Sequence, residues 1–166
     1  MYLLRKVVKK MFVSAIIGFI IVFLYIIYST IKCKCIPESI SASVYSLDEG
    51  KKWLFSCAML LLGAMIAPYM FEMVPQAHEF LVWLMVMGLF GIAADPLRKN
   101  SKNIPHYIGA AVCGIASQTL ILLNCPSILL LWALYVPYTL VWEHSGKNMF
   151  FAELIMILGM MILCLI

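Results

Sequence analysis

Charge is what this sequence lacks most: Asp, Glu, Lys and Arg make up 12% of its 166 residues, about half the share found in soluble domains. With 64% of residues apolar, a water-soluble fold of this length has too little polar surface to cover its core. Sheets buried on both faces also produce apolar runs, but those stop at about four to eight residues. Several runs here reach the roughly 18 that a bilayer crossing needs. No lysine falls inside any of these runs, which excludes a retinal Schiff base. GxSxG, HExxH, Walker and TVGYG-like strings are missing, so serine hydrolases, zincins, nucleotide hydrolases and potassium channels lack their motifs. No soluble domain, linker, low-complexity tract or transporter-like repeat is discernible. The six cysteines lie mostly in or beside apolar runs and form no secreted-type disulfide framework. Cys33-Lys34-Cys35, at a helix end without any CxxC, reads as two unpaired interfacial thiols rather than a redox pair or soft-metal site.

Dividing the chain at charges, prolines and turn residues gives six spans: 11–31, 53–71, 80–94, 107–123, 127–142 and 149–166. The expected fold is therefore all-α, a single polytopic membrane bundle of about six transmembrane helices joined by short loops. The third, fourth and fifth spans are short for a hydrocarbon core of about 30 Å. They are expected to recruit flanking residues such as 77–79; a re-entrant course is the alternative. The first span follows Arg5, Lys6, Lys9 and Lys10, yet it exceeds the signal-peptide core of about 7–15 residues and lacks a cleavage site, so it reads as a retained helix. Pro68 and Pro137 each predict a kink. Gly109, Ala110, Cys113, Gly114 and Ser117 form a stripe of small residues that lets another helix approach closely.

Six crossings put the first, third and fifth loops on one side, with Lys32, Lys34, Lys51, Lys52, Arg98, Lys99, Lys102 and Lys147. The total count places these loops in the cytoplasm, whereas the charges flanking the first helix argue the reverse. The net charge of +4 lies at membrane edges, where it meets anionic lipid rather than nucleic acid. That same side carries Glu38, Ser39, Ser41, Asp48, Glu49, Asp95, His106, Glu143 and His144, against only Glu72, His78 and Glu79 opposite.

Within this polar face, the segment from Pro37 to Ser41, followed by Ser43 and Tyr45, alternates polar and apolar residues where a loop rejoins the membrane. Pro37 would stop one helix and Ser39 cap a short new one; the hydroxyls otherwise satisfy local backbone. Asp95, His106 and His144 together suit zinc, two imidazoles and one carboxylate with an open position, although their spacing forms no motif. Glu153 is the single acid well inside an apolar run, and such carboxylates invite a functional reading. Its expected partners are His106 and His144.

The strings Pro37-Glu38-Ser39-Ile40-Ser41, Trp53-Leu54-Phe55, Gly91-Ile92-Ala93-Ala94-Asp95-Pro96 and His106-Tyr107-Ile108-Gly109-Ala110 resemble small multi-span proteins of bacteria and phages. They are also loosely similar to the DRAM-type six-span families, which share a Pro/Ser-rich first loop and a histidine opening a later helix. The resemblance implies the fold and a bacterial inner-membrane location, but no activity. A second similarity is to ceramidase and adiponectin-receptor hydrolases, with serine, aspartate and histidines near one membrane face; their seventh span and HxxxH pair are missing here.

The leading expectation is a non-enzymatic, oligomeric membrane protein that binds a lipid or a partner membrane protein through Glu38, Ser39, Ser41, Asp95, His106 and Glu153. The rival is a zinc-dependent lipid amide or ester hydrolase. There Asp95, His106 and His144 hold the metal, Ser39 or Ser41 stabilises the oxyanion, and Glu153 or Glu38 acts as base. A small channel or proton-coupled carrier built on Glu153 is the third reading.

Overall fold

The computed structural model describes residues 2–94, 104–142 and 147–166. Six helices follow in order: α1 (Tyr2–Cys33), α2 (Trp53–Met73), α3 (Glu79–Ala93), α4 (Ile104–Asn124), α5 (Trp132–Trp142) and α6 (Asn148–Leu165). No strand occurs among the described residues. Long apolar runs without turn residues favour this outcome, because a helix satisfies its backbone groups internally where no water can. Five segments are long and apolar enough to cross a membrane: Val7–Cys33, Glu49–Met73, Gln76–Ala93, Ile104–Asn124 and Asn148–Leu165. The third reaches that length because the 3₁₀ turn Gln76–His78 precedes α3, as the shortness of its apolar run leads one to expect. Both Pro68 and Pro137 lie inside helices that continue past them.

The fifth span departs from a single α-helix. It is a 3₁₀ segment, Pro126–Leu131, followed by α5. Its direction follows from its neighbours. Gly114 of α4 faces Met156 of α6, and Gly159 of α6 faces Ile121 of α4. Contacts that advance together along both chains mean that α4 and α6 run parallel, so the segment between them carries the chain back rather than dipping in and out. The 3₁₀ stretch gives a short segment the reach of a longer α-helix.

The tightest seam joins α3 to α4. A Cβ on Gly88 would stand 2.6 Å from the Cys113 nitrogen, and one on Gly109 would stand 2.7 Å from the Gly88 carbonyl oxygen. A Cβ on Gly91 would stand 3.1 Å from the Gly109 Cα. Around Gly109 and Cys113 the small-residue stripe of α4 thus packs backbone to backbone, the arrangement that substitutes for hydrophobic driving force between apolar helices, while Gly114 faces α6. Phe19, Phe55, Ile66, Met70, Val82 and Leu120 fill the centre of the bundle. Ile31, Ile115 and Leu134 stand mostly exposed on its outside, an apolar exterior on a scale that water-soluble monomers avoid.

Candidate functional site

The site begins where α1 stops. Lys34 takes the left-handed conformation, φ 54, and its N–H reaches back to the Ile31 carbonyl. The chain then folds inward: Pro37, Ser39, Ile40, Ser43 and Val44 are all buried. Ser39 does what its position before a short helix suggests. Its Oγ accepts the Ala42 N–H at 2.8 Å, opening the 3₁₀ turn Ala42–Ser46. The Ser43 hydroxyl, fully buried, donates to the Ile40 carbonyl at 2.6 Å. Having spent its one hydrogen there, it must accept from Tyr25, whose hydroxyl lies 2.7 Å away. Tyr25→Phe removes that bond and should lower the detergent melting stability by about 1 kcal/mol, read as a small downward shift in a thermal unfolding scan. An unchanged melt would mean that the hydroxyl contributes nothing there.

The inward loop is fastened to α6. The Ile40 N–H donates to Glu153 Oε2 at 2.5 Å, and the Ser41 hydroxyl donates to Oε1 at 3.3 Å. One turn earlier, the Phe150 N–H donates to the Glu38 carbonyl at 3.0 Å. Because the Ser41 hydrogen goes to Glu153, the Ser39 hydroxyl, 3.0 Å from Ser41, is the donor of that pair. The result is a directed chain of hydroxyls ending on a carboxylate. On the rim, Lys51 donates to Asp48 Oδ2 at 3.0 Å, which holds the exposed Asp48 carboxyl below its usual value.

Beneath Glu153 lies a cavity of about 110 Å³ among α1, α2, α3, α4 and α6. Its walls include Phe19, Phe55, Met59, Met85, Met156 and Met160, and its polar lining is Ser41, Ser117, Glu153 and the Cys113 thiol. On α6, the lining runs from Glu153 to Met160, about two helical turns or roughly 10 Å. Glu153 and Ser41 therefore sit at the loop end of an apolar slot.

Of the residues singled out from sequence, the structure brings together Ser39, Ser41 and Glu153, with Glu38 contributing its carbonyl. His106 is buried elsewhere: Nδ1 lies 3.4 Å from the Ile92 carbonyl oxygen, and the residue does not line the cavity. The expectation that Glu153 pairs with His106 is thus corrected, while its other expected partner, His144, lies outside the described residues. The hydrogen bonds of Glu153 come from the first loop, because Ile40 and Ser41 are carried down to it by the buried turn. Asp95 and His144, needed for the zinc reading, lie outside the described residues. Among the described residues no group of three or more His, Cys, Asp or Glu side chains is placed to hold a metal, and all six cysteines are free. Tyr25 and the methionines were not singled out by the sequence, and Cys113 was read only as a packing residue. A tyrosine in an otherwise apolar run was the one available signal.

Fold and site together define a class: an all-helical bundle with five helices of bilayer-crossing length and one carboxylate at the end of an interior apolar cavity. No family model matches the chain, nor does any curated protein or solved structure.

Proposed function

We propose that the chain is a multi-spanning membrane protein that binds a lipid-class amphiphile, its hydrocarbon in the interior cavity and its head at Glu153 and Ser41. One observation carries this reading. Most of the cavity wall is apolar, and the one carboxylate on it, Glu153, stands where the buried loop meets α6, which is the polarity pattern of an amphiphile. An apolar cavity of this kind holds water poorly, so hydrocarbon is its natural content. In a bilayer, the ligand would reach it from a solvent in which it is already concentrated.

The test is extraction and mass analysis of the organic content of the protein purified in an uncharged detergent. Wild type should carry an amphiphile near one per chain. Ala110→Phe and Met156→Phe, each placing an aromatic ring in the slot, should lose most of it while remaining monodisperse. Equal amphiphile content in wild type and both variants would sink the proposal.

A further inference from the structure

The chemistry of the ligand's head follows from where the cavity's hydrogens already go. A hydroxyl has a single hydrogen to give. That of Ser41 goes to Glu153 Oε1 and that of Ser117 to the Gly114 carbonyl, at 3.0 Å. The Ile40 N–H is likewise spent on Glu153 Oε2. Only the Cys113 thiol, a weak donor, is left. What the cavity offers a newcomer is lone pairs, on a carboxylate and two hydroxyl oxygens. Any head group that binds here must itself donate.

Charge narrows the choice further. Both oxygens of Glu153 accept hydrogen bonds, which favour its ionised form against the cost of burial. The ion pairs among the described residues are Lys51–Asp48 and Lys52–Glu49 at the rim; neither involves Glu153. A carboxylate placed among apolar side chains without a cation is costly, and within a membrane more so. A ligand cation would supply the missing partner. The walls suit one: aromatic faces at Phe19 and Phe55 attract ammonium groups, and the methionine thioethers adapt to irregular hydrocarbon. An anionic head finds no donor and faces the Glu153 charge.

We propose that the site selects a lipophilic ammonium compound, its N–H donating to Glu153 and the Ser41 oxygen. This rests on the cavity being a ligand site. The volume of about 110 Å³ equals roughly four water volumes of about 30 Å³ each. It therefore encloses the head and the first few carbons, with the remainder of the chain extending beyond it.

The experiment is equilibrium binding of decylamine, decanol and decanoate, three heads on one chain, to the protein in uncharged detergent near neutral pH. Decylammonium should bind saturably, and decanoate should show no saturable binding. Glu153→Gln should weaken decylammonium about tenfold or more, the scale of a lost charge-assisted bond. The comparison among heads needs only wild type, so it stands even if the variant fails to fold. Decanoate binding as tightly as decylammonium, or an unchanged affinity in Glu153→Gln, would overturn the selectivity. Saturable decanol without decylammonium would also overturn it while leaving the cavity as a ligand site. No saturable binding by any of the three, with no amphiphile co-purifying, would remove the ligand site itself.

Discussion

Gly109→Val should abolish the folded bundle, or lower its stability by about 3 kcal/mol or more. The atoms a side chain would meet there are all backbone: the Gly88 carbonyl oxygen at 2.7 Å, the Ile92 nitrogen at 2.9 Å and the Gly91 carbonyl carbon at 3.0 Å. A flexible neighbour can swing aside, but a helical backbone moves only with its helix. Restoring ordinary contact distances of about 3.5 Å would require α3 and α4 to part along the seam, breaking contacts at Gly88 and Gly91 as well. Gly114→Ala is the matched comparison, since its added carbon meets only the Met156 sulfur at 3.4 Å. Size-exclusion after a temperature series should show Gly109→Val aggregating where Gly114→Ala survives with wild type. Equal survival would mean that the seam yields far more readily than its geometry allows.

Glu153→Ala should free the first loop. The Ile40 N–H and the Ser41 hydroxyl would both lose their acceptor, and leaving a buried donor unpaired costs about 1–3 kcal/mol. Amide hydrogen exchange at Ile40 is the direct readout, with acceleration of about tenfold or more expected for each 1.4 kcal/mol lost. Glu153→Gln behaves differently, because its carbonyl oxygen can still take the Ile40 N–H. It should keep most of the protection while losing the ammonium preference. That split separates fastening the loop from recognising a cation. Exchange at Ile40 unchanged in Glu153→Ala would show that the Phe150–Glu38 bond holds the loop unaided.

The sequence made the helices legible, but not which way they face. Run length located every helix, although α1 begins nine residues before its expected span and α5 five residues after its own, and Ser39 after Pro37 announced the buried turn. The stripe of small residues marked α4 as a close-packing helix, and Gly109 is where the backbones meet, whereas Gly114 and Ser117 of the same stripe line the cavity. Facing is another matter. Where nearly every residue is apolar, hydropathy cannot distinguish the side of α2 or α6 turned inward from the side turned outward. The cavity, built from inward faces of five helices, was therefore invisible. So was the partner of Glu153, which lies more than a hundred residues away in the chain and donates chiefly through a backbone N–H that no residue type reveals. The 3₁₀ stretch at Pro126–Leu131 was also missed, since Leu-rich sequence favours the α-helix by propensity and only the geometry of its neighbours shows the length it must cover.

The glycine seam also has a mechanical consequence. Side chains between helices act as a soft layer, changing rotamer to take up small displacements. Between α3 and α4 that layer is absent around Gly88, Gly91 and Gly109. The two helices therefore behave as one stiff plate, and a push on either reaches the other undiminished. Any widening of the slot must then come from its other walls, α1, α2 and α6, and on α6 it works against the three hydrogen bonds that hold the first loop.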